Sequence, residues 1–195
     1  MSTTSSPFFP ARAGDNRQPP KTHMSHSLRD ATVDDAAALA ALHVQTFRET
    51  HGGGPSVGVR REQWDQILGK GDPADFTILV EESGGAFVGF ARGTRHDGSV
   101  PGYEGTLNKI YVLRRCHGQG LGRLLVCHVA SRFVGQGVTS MLLFGDARSP
   151  ANGFYEHLGA ERLLTAEGKF HGGYGWRDLA GLAQRCGAYT NGPAA

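Results

Sequence analysis

Arg114-Arg115-Cys116-His117-Gly118-Gln119-Gly120-Leu121-Gly122-Arg123 sets three alternating glycines between an apolar run over 107–113 and a helix-like run over 121–133. This order reads as a strand, an anion cradle and a helix N-terminus. Without Cβ atoms at 118, 120 and 122 the backbone can approach an anion closely, and its free N–H groups point where the helix dipole is positive. The expected ligand carries a pyrophosphate. Two common phosphate loops fail on spacing. A P-loop needs four residues between its glycines followed by Gly-Lys-Ser/Thr, which this stretch lacks. The dinucleotide fingerprint would put its third glycine at Arg123 or Leu125, and neither residue fits.

The segment His117-Gly118-Gln119-Gly120-Leu121-Gly122 resembles motif A of the GNAT superfamily of N-acetyltransferases, Gln/Arg-x-x-Gly-x-Gly/Ala, with His in place of the first residue. A second segment, Ser149-Pro150-Ala151-Asn152-Gly153-Phe154-Tyr155-Glu156-His157-Leu158-Gly159-Ala160, is similar to the family's motif B. The resemblance spans about residues 28–179 and is strongest from 107 onward. It implies a mixed α/β fold with a mostly antiparallel sheet, splayed central strands and flanking helices. It also implies acetyl-CoA as co-substrate, its pyrophosphate wrapped by the backbone of His117, Gly118, Gln119, Gly120, Leu121, Gly122 and Arg123. Tyr111, Val112 and Leu113 on the fourth strand are implied to pair with pantetheine, and the N–H groups around Tyr111 and Val112 to serve as oxyanion donors.

Acetyl transfer to an amine needs a neutral nucleophile, donors for the developing oxyanion and a proton for the departing thiolate. Tyr155 occupies the family position of the general acid; as a residue of an aromatic pair with Phe154 it could equally be core. Asn152 falls on a cofactor-contacting position, with backbone capping as the alternative. Glu104 is the candidate general base, sharing strand parity with Asn108, although the family's usual glutamate aligns closer to Thr106. The loop histidines His51, His96 and His171 are secondary candidates for proton transfer. Arg114, Arg115, His117 and Arg123 form a basic cluster expected to face phosphate, and Cys116 beside them is a candidate low-pKa thiol.

A net charge of +2 does not call for nucleic acid, and no metal-binding cluster is seen among the nine histidines. The three cysteines are odd in number and widely spaced, so neither a disulfide framework nor a zinc site is expected. No apolar run is long enough to span a membrane, and the first residues lack a signal-peptide pattern, so a cytoplasmic location is expected. The partners expected are acetyl-CoA and an amine, without nucleic acid or membrane, with a homodimer left open. The reading is an acetyl-CoA-dependent N-acetyltransferase acting on a small primary amine by direct attack. Its alternatives are a noncatalytic acyl-CoA-binding regulatory module and a protein N-acetyltransferase.

With 195 residues, 39% of them hydrophobic, the chain can bury one core. Three units are expected: a disordered tail over 1–26, with Met24 as an alternative start, a catalytic domain over 27–182, and a flexible tail over 183–195. Apolar periodicity from a capping box at Thr32 predicts a helix to about residue 50, then a short helix over 61–68 beyond the glycines at 52–54. That intervening region is a natural substrate lid. Strands are expected over 76–82, 86–95, 107–113, 140–144, 160–164 and 173–178, with helices over 121–133 and after Ser149-Pro150.

Overall fold

The structure is a computed structural model and describes residues 25–190. The expected N-terminal tail lies outside them except for its last two residues. His26 opens a strand, β1 (His26–Asp30), which runs antiparallel to β2 (Phe76–Glu82). Between them, Thr32 donates through its N–H (2.8 Å) and hydroxyl (3.1 Å) to the Asp35 carboxylate. This box closes a single 3-10 turn, Val33–Asp35, and launches α1 (Ala36–His51). Gly52 in left-handed conformation ends α1, and α2 (Val57–Gly69) follows from an N-cap at Ser56.

β3 (Phe87–Arg95) returns along β2 through the Ser83-Gly84-Gly85 turn, and β4 (Gly105–Val112) returns along β3. A 3-10 turn at Arg114–Cys116 and the glycine loop lead into α3 (Leu121–Gly135). Then come β5 (Met141–Phe144), α4 (Asn152–His157), β6 (Glu161–Leu164), β7 (Phe170–Trp176) and α5 (Leu179–Thr190). The seven strands form one sheet in the order β1-β2-β3-β4-β5-β7-β6, antiparallel throughout except between β4 and β5.

Two irregularities shape the middle of this sheet. First, β4 and β5 pair only at Gly105 with Met141 and Thr106 with Leu142, so that beyond Thr106 the two strands part. Second, Gly93 of β3 faces Leu107 and Arg92 faces Lys109, which leaves Asn108 as an extra residue in β4, a β-bulge. The bulge ends the alternation that would have placed Asn108 in phase with Glu104, and sets Lys109 and Tyr111 opposite Arg92 and Phe90.

One face of the sheet is covered by α3. Phe133 stacks edge-on against Phe76 and lies where a Cβ at Gly105 would be, and Leu125 approaches Gly89. The opposite face carries α1 and α2. There His43, Trp64, Phe90 and Tyr111 form an aromatic cluster with ring centroids 5.1–5.8 Å apart.

The C-terminal stretch corrects two expectations. Over 183–190 the chain is helical rather than a flexible tail, because α5 runs on to Thr190 and buries Leu179, Leu182 and Cys186 against the core; the last five residues lie outside those described. Nor are the cysteines all free: Cys127 of α3 and Cys186 of α5 form a disulfide across a sequence separation of 59 residues, with Cα atoms 5.8 Å apart. Spacing along the chain could not reveal a bridge that depends on two helices packing side by side. A loop of that size corresponds to about 4 kcal/mol in the chain-entropy treatment. We therefore expect reduction, or Cys186→Ser, to lower the thermal midpoint clearly, read by scanning calorimetry with and without reductant. An unchanged midpoint would show that packing alone holds α5.

Candidate active site

The glycine loop leaves the open end of β4. Gly118 and Gly120 have φ of +75° and +81°, and a Cβ on either would project into open space. Both left-handed turns thus face away from protein, as a backbone anion cradle requires. Gly120 is the N-cap of α3, so the unpaired N–H groups of the first helical turn lie at the loop. Gly122 serves a different purpose, since a Cβ there would come within 3.3 Å of the Phe154 ring.

The basic side chains around this loop are mostly committed to protein, contrary to a phosphate-facing patch. Arg115 makes a two-bonded ion pair with Glu82 (2.9 and 2.7 Å), and Arg114 binds the C-terminal turn of α1 through Glu49. Arg123 donates to the Arg185 carbonyl of α5 at 3.4 Å. His117 donates through Nε2–H to the Val112 carbonyl at 2.9 Å, tying the loop to the strand end. Gln119 donates to the Arg115 carbonyl at 3.2 Å. Cys116 is buried, and burial pushes its thiol up in spite of Arg115, so it is not the low-pKa nucleophile its neighbours suggested.

On β4 the hydrogen-bond alternation decides which groups remain available. The Leu113 N–H donates to the Val88 carbonyl at 2.8 Å, and antiparallel pairing then turns Tyr111 toward Phe90 of β3 as well. Ile110 and Val112 turn their backbone groups to the open side, where β5 has departed. Of the two expected N–H donors, that of Val112 therefore reaches the cleft and that of Tyr111 does not.

Tyr155, on α4, lies near enough to Tyr111 to feel its hydroxyl electrostatically. Its ring packs with Phe154, Tyr174 and Trp176. Burial, and behind it the neighbouring hydroxyls of Tyr111 and Tyr174, push its pKa up to about 12, so the hydroxyl stays protonated through the physiological range. The hydroxyl nevertheless makes no hydrogen bond with the described residues, whereas that of Tyr174 donates to Glu156 at 2.8 Å. Tyr155 is thus both packed and chemically unspent, which joins the two readings its sequence context allowed.

Glu104 is spent. Its carboxylate accepts the Thr139 N–H at 2.7 Å and the Thr139 hydroxyl at 3.1 Å, and these bonds hold its pKa down. It stitches the start of β4 to the turn before β5, at the paired end of the two strands. Asn152 donates to the carbonyls of Ala147 (2.8 Å) and Asp146 (3.4 Å), so its amide nitrogen braces the loop before α4. Both nitrogens of His96 are taken: Nδ1–H donates to Thr106 Oγ1 (3.1 Å), and Nε2 accepts the Val100 N–H (3.0 Å). His51 stacks beside Phe47, and His171 beside Phe144.

Three residues without a recognisable local signal also reach this region. His43 accepts the Trp64 indole N–H at Nδ1 (3.2 Å) and is held neutral, its pKa lowered to about 3 by burial and then by Arg60 and Lys109. Arg60 and Lys109 come from α2 and β4, far apart along the chain, and no spacing rule connects them with each other or with Tyr155. A separate depression of about 610 Å³, between the start of β2 and the end of α3, contains none of these groups. Its arginines are already paired, Arg92 with Asp75 and Arg132 with Asp30.

The acetyltransferase (GNAT) family profile matches residues 36–160, and the chain belongs to that family of acetyltransferases. No curated protein sequence matches it. Solved structures share the fold at low identity. The PaiA N-acetyltransferase of Thermoplasma acidophilum, in complex with coenzyme A, is 14% identical with a TM-score of 0.63, over 79% of this chain and 99% of that one. A GNAT-family acetyltransferase of Staphylococcus aureus is 14% identical with a TM-score of 0.64, over 80% and 99%. YncA of Salmonella typhimurium, solved with acetyl-CoA, is 18% identical with a TM-score of 0.59, over 78% and 94%.

Proposed function

We propose that this chain transfers an acetyl group from acetyl-CoA to a small primary amine, by direct attack within a ternary complex. The observation that carries the reading is the parting of β4 from β5 immediately beside the open glycine cradle. The cradle would hold the pyrophosphate, and the freed edge of β4 would pair with the amides of pantetheine as a short false strand. The PaiA and YncA structures, solved with coenzyme A and acetyl-CoA, support acetyl-CoA as the co-substrate.

In this mechanism the amine nitrogen forms a bond to the thioester carbon, and the Val112 N–H stabilises the oxygen as it becomes negative. The C–S bond then breaks. Tyr155 donates its hydroxyl hydrogen bond to the departing sulfur and passes the proton as negative charge gathers there, and the proton lost by the amine restores the account. The products are the acetamide and the free thiol. Because Glu104 is bound to Thr139, the amine proton leaves through water.

That engagement of Glu104 also favours a second reading, a noncatalytic acyl-CoA-binding module. The two separate cleanly in solution. We expect acetyl-CoA to raise the melting temperature of the full chain several degrees while NAD and ATP at the same concentration do not, because the glycine spacing suits neither. A screen of primary amines for thiol release should then find turnover. Stabilisation without turnover would establish the binding module, and equal stabilisation by NAD would overturn the cradle assignment. A cytoplasmic location belongs to the same proposal; among the described residues no helix is long and apolar enough to cross a membrane. Alkylation of Cys127 and Cys186 on rapid lysis tests it, because a cytosolic pool should be largely reduced.

A further inference from the structure

Among the described residues, arginine after arginine pairs with a carboxylate: Arg29 with Asp35, Arg92 with Asp75, Arg115 with Glu82, Arg162 with Glu156 and Arg177 with Glu161. Arg60 and Lys109 do not. Arg60 donates through one terminal nitrogen to Gln63 at 2.8 Å and lies over the Phe47 ring, but its Nε is buried with no hydrogen-bond partner. Lys109 is half-buried, and its ammonium bonds only the amide oxygen of its neighbour Asn108, at 2.7 Å. Each guanidinium or ammonium proton turned from water without an acceptor is costly, so an acceptor from outside the chain is called for.

The position says where that acceptor belongs. Arg60 lies over the Phe47 ring, whose centroid is 6.4 Å from that of Tyr111, and Lys109 shares the β4 face of Tyr111, so the two cations adjoin the cleft where the thioester would react. Burial, followed by Arg92 and Arg60, pulls the Lys109 pKa down, as expected of like charges crowded together without a counter-ion. His43, held neutral, contributes no compensating charge, and Asp75 is taken by Arg92.

We propose that Arg60 and Lys109 bind an anionic group, a carboxylate or phosphate, carried by the acceptor amine a few bonds from its nitrogen. The proposal rests on the transferase reading of the same cleft. A planar guanidinium with an unused Nε–H offers the fork that such anions take. The same pair of charges acts on the nucleophile: it disfavours the ammonium form of the amine and so supplies the neutral nitrogen that attack requires. A simple cationic polyamine would meet only repulsion here.

The test uses the full-length chain and matched acceptors that differ in the anion alone: α-amino acids against their carboxamides, and phosphoethanolamine against ethanolamine. We expect kcat/KM for thiol release to be about tenfold or more higher for the anionic member of at least one pair, the magnitude of one charge-assisted hydrogen bond. The pair that responds tells carboxylate from phosphate. Arg60→Gln and Lys109→Met should each erase most of that preference, chiefly through KM, and leave the affinity for acetyl-CoA unchanged. Equal rates within both pairs would overturn the anion site while leaving the transferase reading intact. If no amine turns over, the site is judged separately from the Arg60 Nε–H resonance in the coenzyme A-bound protein. A saturable shift with glycine or phosphoethanolamine, absent with methylamine or ethanolamine, supports the site, and no shift with any of them overturns it.

Discussion

Tyr155→Phe is expected to bind acetyl-CoA nearly as tightly as the parent chain and to lose about 10²-fold or more in the rate of acetyl transfer. The ring packs against Phe154, Tyr174 and Trp176, and phenylalanine preserves those contacts. Only the hydroxyl goes, and in the folded chain that hydroxyl bonds no other described group, so its loss leaves no protein donor or acceptor stranded. Its elevated pKa sharpens the expectation, because a hydroxyl that stays protonated up to about 12 is a donor at every working pH and its loss cannot be mimicked by titration. Single-turnover measurement with the best amine isolates the chemical step from product release. An unchanged single-turnover rate would remove Tyr155 from the mechanism, and a fall in thermal midpoint with unchanged chemistry would return it to the core.

Gly120→Val is expected to weaken acetyl-CoA binding by about 10²-fold or more. At φ of +81° a β-branched residue pays steric strain of roughly 1–2 kcal/mol, and its side chain would project into the open space above the loop where the anion is to sit. Losing two charge-assisted N–H contacts there accounts for the remainder. His117→Gln should be mild, within a few-fold, since a glutamine amide can also donate to the Val112 carbonyl and the proposed cradle binds chiefly through main-chain groups. Titration calorimetry with acetyl-CoA checks both variants. If the histidine change proves as severe as the glycine change, side-chain contacts rather than backbone dominate the cradle.

Where each element was legible in the chain follows from what holds it. The glycine loop, β2, β3 and α3 carry their own patterns, so their limits fall within one or two residues of expectation. β1 does not: His26, Ser27, Arg29 and Asp30 give no apolar alternation, and the strand exists because β2 offers it an edge. α5 was hidden by its glycines and by its dependence on α3, which supplies both the apolar surface and the other half of the disulfide. Within the proposed site, the positions of the glycine loop and Tyr155 were readable because motif order marks them. The roles of Arg60, Lys109 and His43 were not, because α2, β4 and α1 each contribute one residue and only the assembled face makes them neighbours. Glu104 shows the converse, a carboxylate in a plausible place whose bonding to Thr139 appears only when the turn before β5 is folded.

The bulge at Asn108 makes β4 a strand of two phases. Before it, Gly105 presents its N–H toward β5, bonding Ser140 at 3.0 Å, and the alternation counts from there. After it the count restarts, and Val112 rather than Tyr111 presents its N–H to the cleft while Tyr111 and Lys109 keep their side chains on the α1 and α2 face. Were the same residues paired without the bulge, in the register that Gly105, Thr106 and Leu107 set, Lys109 and Tyr111 would fall opposite Ala91 and Gly89 and turn toward α3, and Tyr111 in place of Val112 would present its N–H to the cleft. Length in most of this molecule is a matter for loops, which absorb change; here one extra residue, taken up inside a strand, sets the phase of every side chain and amide that follows it on β4.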